Sequence, residues 1–290
     1  SDQKYFAEKI FQLPNTFQCI SINDDIKIDH SRYQNKRDII FGSFNNLSKI
    51  NDNVIDVWSE ILKRIENSKL FIKNKDLNDK KIIENICARF KKHNINKNRL
   101  ILRGESSTRK ELLKVYNEID IALDPFPFQG NTCTCESVWM GVPVITLKGN
   151  RFIFHFGESI NSNLNMHDWI AENHNEYVSK AIKFSSNLDE LSKIRMSLRK
   201  LALQSPVYDA PRFTEHLSKI LWKMWYINYV RYCILYCLVL FLCSEGCPPE
   251  AFLGVYYWDI LVVFYLKKSE RLGCPFEAYM CCVNQNKPIA

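Results

Sequence analysis

Apolar residues follow two alternating spacings along most of the chain, and these spacings predict alternating strands and helices. Five short apolar runs are expected to be strands, at residues 38–44, 69–73, 99–103, 119–123 and 143–147. Helical spacing begins at Asn51 or Asp52, and further helices are expected at 80–92, 108–117, 132–140 and through 176–225. Strands that alternate with helices form parallel sheets through right-handed crossovers. The expected fold class is therefore α/β, a doubly wound parallel sheet with helices on both faces.

The segment Ile119–Leu147, IDIALDPFPFQGNTCTCESVWMGVPVITL, carries the most specific signal in the chain. Proline and glycine end its first apolar run after Leu123, and Asn131 or Thr132 can cap the helix that follows. Gly130 lets the backbone approach a ligand closely. A helix N-terminus at the carboxyl edge of a parallel sheet attracts anions, so we expect an anion site with a diphosphate as its ligand.

Five consecutive residues are expected to form the anion-binding turn: Gly130, Asn131, Thr132, Cys133 and Thr134. The two threonines can add hydroxyl donors to the backbone N–H groups, whereas the cysteine thiol is a weaker donor. The backbone amides do not depend on the side chain, so this composition is compatible with binding of a phosphate.

The overall composition is typical of a globular protein without a nucleic-acid signature. The 290 residues are 46% hydrophobic and carry a formal net charge of +7. Lysines are scattered among Asn and Asp, as in KNKDLNDKK, which favours a solvated surface over binding of nucleic acid. The first ten residues lack the apolar run of a secretory signal, and they read as the middle of a longer protein.

Four of the eleven cysteines, Cys19, Cys87, Cys133 and Cys135, precede residue 229. Their spacing is not that of a disulfide framework, which favours a reducing compartment, cytoplasmic or nucleocytoplasmic. Cys133 and Cys135 could form a metal pair, but no second pair or histidine is near in sequence. We expect them instead to be small residues in a tightly packed first helical turn, and we expect no metal.

Four separate segments, in order, resemble family 41 glycosyltransferases, which include the protein O-GlcNAc transferases and the SPINDLY-type O-fucosyltransferases. They are EKIFQLPNTFQCI at 8–20, FGSFNNLSKIN at 41–51, the segment 119–147, and LRKLALQSPVYDAPRFTEHLSKILWKMW at 198–225. The resemblance covers residues 5–228. It implies that 39–228 are the Rossmann-like, donor-binding C-terminal lobe of a GT-B glycosyltransferase, and that 1–38 are the end of the N-terminal lobe and a linker.

The resemblance also implies roles for single residues. Lys49 matches a lysine that contacts the diphosphate and is important for turnover, so it is the expected catalytic residue. Asn46 matches a neighbouring amide that reaches the phosphates, and Glu136 matches an acidic residue that binds the ribose hydroxyls. Leu112 stands where protein O-GlcNAc transferases have a histidine against the uracil, which leaves the base preference open.

Each polar residue of this set has a structural alternative. Lys49 alone would be a surface lysine, and Asn46 alone would be a turn former. Glu136 alone would be a favourable charge in the first turn of a helix.

The activity implied by the resemblance is inverting, metal-independent transfer of N-acetylglucosamine from UDP-GlcNAc to Ser or Thr of proteins. The expected partners are a nucleotide-sugar donor, a protein acceptor and the N-terminal lobe, without a cofactor. The family's tetratricopeptide repeats are also candidate partners, because no repeat of about 34 residues occurs in this chain. GDP-fucose or UDP-glucose is the alternative donor, and a non-catalytic nucleotide-binding or interaction module is the alternative outside enzymes.

Residues 229–290 are expected to be a separate, apolar and cysteine-rich tail. Its apolar runs, 232–243 and 251–266, are too short or too charged for a clear membrane span of about 20 residues. A membrane hairpin, a buried or partner-facing segment and non-native translated sequence are the three interpretations. The last is favoured because the family resemblance and the composition both change near residue 229.

Overall fold

A computed structural model of the chain describes residues 2–22, 26–29 and 38–243. Contacts divide the chain into two units, Ser1–Leu221 and Trp222–Ala290. The strands are β1 (Ile39–Ser43), β2 (Ser68–Lys73), β3 (Leu100–Arg103), β4 (Ile121–Leu123), β5 (Val144–Leu147) and β6 (Ile170–Ala171). The α-helices are α1 (Asp52–Arg64), α2 (Lys80–Lys91), α3 (Arg109–Val115), α4 (Thr132–Trp139), α5 (Phe156–Asn163), α6 (His174–Ser186), α7 (Leu188–Gln204) and α8 (Ala210–Cys243).

The six strands form one sheet in the order β3-β2-β1-β4-β5-β6, and every pairing is parallel. Phe41 of β1 lies opposite Leu70 of β2 on one side and Ile121 of β4 on the other. The chain runs outward from β1 to β3 and then crosses back to β4. The direction of winding therefore reverses between β1 and β4, which is where open α/β sheets bind ligands at the carboxyl ends of their strands.

The core lies between the central strands and the helices that cover them. Phe41, Leu70 and Ile121 are fully buried, as expected for parallel strands covered on both faces. Trp58 of α1 is fully buried too, and α1 packs against α6 while α4 packs against α7. The α/β doubly wound fold expected from the hydrophobic spacing is confirmed.

The N-terminal segment packs on this unit. The Ile20 backbone N–H donates to the Val207 carbonyl, 2.9 Å away, and Ile22 and Ile26 are buried in the core. This segment is held by the unit that contains the sheet.

Two stretches differ from the sequence-based expectation. The region 176–225, expected to be helical throughout, is interrupted between α6 and α7 and again between α7 and α8. Asn187 marks the first interruption because its side chain accepts a hydrogen bond from the Glu190 N–H and caps α7. The elements α5 and β6 were not predicted. One of the buried positions of α5 is the polar Asn161, whose amide donates to the Val144 carbonyl. The sequence of α5 therefore does not show the apolar stripe from which a helix is predicted.

The described part of the second unit is the end of α8, where Trp225 stacks on Tyr229 with ring centroids 5.1 Å apart. Within the described residues, no helix combines the length and apolarity that a membrane span requires. Most of the tail expected at 229–290, from residue 244 onward, lies outside the described residues, so its three interpretations stay predictions.

Candidate functional site at the carboxyl edge of the sheet

Two loops meet where the winding of the sheet reverses. The first follows β1 and leads through Asn45 to Lys49, and the second follows β4 and leads from Asp124 to Gly130. A small cavity between them is lined by residues from both loops and from α4, including Ser43, Asn45, Asp124, Cys133 and Thr134. The structure therefore brings the two sequence motifs together at the expected edge.

The helix α4 begins at Thr132 and points its N-terminus at this edge. Asn131 occupies the N-cap position, but its side chain makes no capping hydrogen bond. The helix thus begins where it was predicted to begin, but the Asn131 side chain does not cap it. The first N–H groups of a helix have no partner within the helix, and the N-terminus carries partial positive charge. An uncapped N-terminus of this kind can bind a phosphate through its amides.

Gly130 is required by close packing, not by an unusual backbone angle. A Cβ atom at this position would lie 2.6 Å from Thr134 Oγ1, 2.8 Å from Asp124 Oδ1 and 2.9 Å from Asn45 Oδ1. The Gly130 N–H donates to Asp124 Oδ1 over 2.6 Å. The turn is therefore held from behind by a buried carboxyl group.

Lys49 lies at the end of a short 3-10 helix after β1 and reaches across to the second loop. Its Nζ donates to the Gln129 carbonyl over 2.8 Å and lies 4.1 Å from the centre of the Phe128 ring. Burial lowers the pKa of the Lys49 ammonium, while the negative charge of Asp124 acts in the opposite direction. Lys49 is half-buried, and its ammonium contacts Gln129, the residue before Gly130. This cation is therefore well placed to contact an anion at the α4 N-terminus.

The residues of the turn have different exposures. Thr132 is exposed, whereas Thr134 is buried with its Oγ1 close to Gly130. The Cys133 thiol donates to the Phe44 carbonyl over 3.2 Å, and burial raises its pKa to about 12. Cys133 is thus a neutral packing residue, as expected for a small residue in this turn. In the described part of the chain, no cluster of His, Cys, Asp and Glu could hold a metal ion.

Glu136 is the fifth residue of α4, so the alternative that it is a first-turn charge is wrong. Its side chain is only 7% exposed and contacts two residues of the α3 region. Oε1 lies 3.4 Å from Arg109 Nη2, and Oε2 lies 3.3 Å from the Tyr116 hydroxyl. Burial raises the pKa of this carboxyl, while the Arg109 charge and the Tyr116 hydrogen bond lower it. The carboxylate is fixed at the site and can accept hydrogen bonds from a ligand.

Leu112 lies on the face of α3 that turns toward Glu136. Arg109, Leu112 and Tyr116 follow the spacing i, i+3, i+7, which places them on one side of a helix. Because Arg109 and Tyr116 both reach Glu136, the half-buried Leu112 between them borders the same region. Packing of Leu112 on a base stays a prediction.

Of the two adjacent asparagines in the first loop, Asn46 is exposed and Asn45 is buried at the cavity. The exposed Asn46 accepts a hydrogen bond from the Ser48 N–H over 3.1 Å, as the turn-former alternative expects. The buried Asn45 side chain lines the cavity and lies beside Gly130. Asn45 was not predicted as a site residue, since two adjacent asparagines in one loop are indistinguishable by pattern.

Gln129 is a further residue that the sequence analysis missed. It is fully buried, and its carbonyl accepts from Lys49. Its side-chain oxygen accepts from the Gly157 N–H over 2.6 Å, and its side-chain amide donates to the Leu147 carbonyl. Gln129 therefore ties the loop to β5 and to α5, and no local sequence signal distinguishes it from a solvated loop glutamine.

Comparison with known proteins gives the same family as these motifs. The family model described as Glycosyl transferase family 41 matches residues 22–217. The protein named "Probable UDP-N-acetylglucosamine--peptide N-acetylglucosaminyltransferase SPINDLY" from Solanum lycopersicum is 33% identical over 228 residues, which are 78% of this chain and 24% of that protein. The Arabidopsis thaliana protein of the same name is 32% identical over 220 residues, 76% of this chain and 24% of that protein.

Solved structures agree in fold. A mutant of Thermobaculum terrenum O-GlcNAc transferase is 27% identical with a TM-score of 0.68, covering 75% of this chain and 41% of that one. S. aureus TarM in complex with UDP is 15% identical with a TM-score of 0.53, covering 75% of this chain and 40% of that one. This second likeness concerns the fold alone.

The doubly wound parallel sheet, with a cation and an uncapped helix N-terminus at its switch point, is a Rossmann-like α/β fold of the kind found in glycosyltransferases. The chain belongs to glycosyl transferase family 41. It spans about a quarter of the length of the curated relatives that it matches.

Proposed function

We propose that this chain is the donor-binding lobe of a protein O-glycosyltransferase that transfers N-acetylglucosamine from UDP-GlcNAc to Ser or Thr, with inversion. The proposal depends on one observation above all. The uncapped N-terminus of α4 and the half-buried ammonium of Lys49 lie together at the switch point of the sheet. The names of the relatives, which refer to UDP-N-acetylglucosamine and peptide, support the donor and the acceptor class.

The proposed chemistry follows from where charge develops. Departure of the sugar leaves additional negative charge on the diphosphate, and groups that stabilise this charge lower the barrier. The α4 amides and Lys49 supply positive charge at this point without a metal ion. Glu136 would accept hydrogen bonds from the ribose hydroxyls. Leu112 would pack on the base.

The proposal includes partners that complete the enzyme. A GT-B site lies between two lobes, so an N-terminal lobe would supply the acceptor side of the cleft. This chain alone is expected to bind donor and to transfer little sugar. A reducing, cytoplasmic or nucleocytoplasmic setting belongs to the same proposal, and the free thiols of Cys19, Cys87, Cys133 and Cys135 support it.

Calorimetric titration of the chain with UDP and with GDP tests the donor site. Lys49→Ala should weaken UDP binding about tenfold or more, because a charge-assisted hydrogen bond contributes about 1.5 to 3 kcal/mol. Lys63→Ala, which removes an exposed lysine from the last turn of α1, is the control for net charge and should bind UDP like the wild type.

The other outcomes separate the alternatives. Stronger binding of GDP than of UDP would favour a GDP-sugar donor and assign the base preference to the region of Leu112. Equal losses in the Lys49 and Lys63 variants would indicate nonspecific attraction of anions. A folded wild-type chain that binds neither nucleotide would overturn the donor-site proposal. UDP binding without transfer, even in the presence of the N-terminal lobe of a relative, would favour a non-catalytic module.

A further inference from the structure

Asp124 lies directly behind the loop that carries the anion site, and each oxygen of its carboxyl group accepts a hydrogen bond. Oδ1 accepts from the Gly130 N–H over 2.6 Å, and Oδ2 accepts from the Thr146 hydroxyl over 3.0 Å. The Asp124 backbone carbonyl accepts from the Tyr177 hydroxyl over 3.0 Å. The residue is 1% exposed. The carboxyl group therefore joins the loop to β5, and the backbone carbonyl joins the same residue to α6.

Two glycines leave the space that this carboxyl fills. A Cβ atom at Gly157 would lie 2.4 Å from Asp124 Oδ2, and a Cβ atom at Gly130 would lie 2.8 Å from Oδ1. Contacts this short do not occur between real side chains, so both neighbours must be glycine for the carboxyl to fit. The arrangement sets the path of the loop at Gly130 and the start of α5 at Gly157.

The groups that face Asp124 include a single cation among the described residues. This cation is Lys49, and its charge favours the ionised carboxylate. The Cys133 thiol and the Tyr177 hydroxyl also face Asp124, and both have a pKa raised by burial, so they are neutral. Burial raises the pKa of Asp124 itself to about 7, against the hydrogen bonds from Gly130 and Thr146. Loss of solvent is thus the largest effect on this pKa, and Lys49 is the charged group that opposes it.

We propose that Asp124 is the positioning residue of the donor loop, and that occupation of the anion site by a diphosphate is coupled to uptake of one proton by its carboxyl group. This coupling rests on the proposed donor site. A diphosphate at the α4 N-terminus brings negative charge close to Asp124 and recruits Lys49, which is the compensating cation. The ionised carboxylate then becomes less favourable, and the proton that it takes up comes from solvent.

The protonated carboxyl keeps both of its structural contacts. One oxygen still accepts from the Gly130 N–H, and the hydroxyl can donate to Thr146, because a hydroxyl both donates and accepts. Asparagine has the same shape and can make the same two bonds without a charge. Asp124→Asn therefore mimics the protonated carboxyl group at every pH. Asp124→Ala removes both hydrogen bonds of the carboxyl group.

The test is the pH profile of donor affinity, measured by calorimetry on the full chain with UDP-GlcNAc. The diphosphate of this ligand is a diester, so it does not itself titrate between about pH 6 and about pH 8. Wild-type affinity should fall as the pH rises above about 7, by up to about tenfold per pH unit, because the unliganded carboxyl then loses its proton. Asp124→Asn should bind with the low-pH affinity of the wild type over the whole range.

Two further variants separate positioning from titration. Asp124→Ala should bind more weakly at every pH, because the Gly130 turn loses its acceptor. Thr146→Val removes a hydrogen bond that favours the ionised carboxylate, so its decline in affinity should begin at a higher pH. This variant also keeps the test available if Asp124→Asn does not fold by circular dichroism.

The proposal would be overturned if Asp124→Asn and wild type had the same pH profile, or if Asp124→Ala bound the donor as well as wild type. Either result would leave the proposed donor site intact. Absence of UDP-GlcNAc binding in the folded wild-type chain would overturn both proposals, so the two failures are distinguishable.

Discussion

At the scale of single residues, Glu136 is the clearest case of a side chain that was predicted for a ligand and is also held by the fold. Its two oxygens already contact Arg109 and Tyr116, and burial raises its pKa. These contacts fix its orientation before any ligand arrives, which lowers the entropic cost of accepting the ribose hydroxyls. They also mean that a loss of binding alone would not separate a ligand contact from a structural one.

A thermodynamic cycle that changes both Glu136 and the nucleotide separates the ligand contact from the structural role. Glu136→Gln should lower the affinity for UDP by about tenfold or more, as expected for loss of charge-assisted hydrogen bonds. The same substitution should have little effect on the affinity for 2′,3′-dideoxy-UDP, because this nucleotide lacks the hydroxyls that would donate to Glu136. Calorimetry with both nucleotides measures the coupling. Equal losses for the two ligands would indicate that Glu136 acts only through Arg109 and Tyr116.

The residues of the site were predictable to different degrees. Gly130 and Glu136 belong to a motif with a fixed spacing, so the sequence is sufficient to propose them. Gln129 and Asn45 were missed because their roles depend on contacts with residues far along the chain, such as Gly157 and Gly130. Asp124 directly follows the apolar run of β4, but its burial between Gly130 and Gly157 has no local sequence signal.

At the scale of secondary-structure elements, the start of α1 is linked directly to the donor loop. The Asn51 side chain accepts from the Val54 N–H over 3.0 Å, which caps the helix. Its amide also donates to the Phe126 carbonyl over 2.8 Å, in the loop that follows β4. One side chain therefore joins the first loop of the site to the second.

Asn51→Ala should lower the free energy of unfolding by about 1 kcal/mol for the lost cap and by about 1 kcal/mol more for the lost bond to the loop. Asn173→Ala is the matched control, because Asn173 is an exposed N-cap of α6 that accepts from the Glu176 N–H over 2.9 Å. Urea denaturation of both variants gives the difference. Equal destabilisation would mean that the bond to Phe126 contributes nothing measurable.

The elements that the sequence predicted are those with an independent local signal. α1 has a capping asparagine and apolar residues at helical spacing, and its observed start at Asp52 is the expected one. α5 and β6 lack such signals. β6 has two residues, and α5 is held by its contacts with β5 and by the Gln129 bond to Gly157. Tertiary contacts of this kind leave no periodic trace in the sequence.

At the scale of the whole molecule, the strand order decides where the site lies. β1 and β4 are neighbours in the sheet although almost 80 residues separate them in sequence, from Ser43 to Ile121. The right-handed crossovers implied by the α/β pattern predicted a parallel sheet, but the pattern did not give the order of its strands. The family resemblance implied that Lys49 and the Gly130 turn serve one diphosphate, and the strand order of the structure explains why they meet.

The same assembly predicts a dependence of global stability on pH. Complete burial raises the pKa of Asp124 from its ordinary value of 3.8 to about 7. Between these two values the native chain holds a proton that the unfolded chain releases, so the native state binds more protons. The free energy of unfolding contributed by this group therefore falls as the pH rises through this window.

Comparison of wild type with Asp124→Asn isolates this contribution, because other titrating groups affect both proteins. The free energy of unfolding of wild type minus that of the variant should decrease by a few kcal/mol between about pH 4.5 and about pH 7.5. Urea denaturation at a series of pH values measures it. A difference that does not change with pH would mean that Asp124 stays ionised throughout, held by Lys49 and the loop amide. In that case the carboxylate would position the loop as a fixed charge, and binding of a diphosphate would not be linked to a proton.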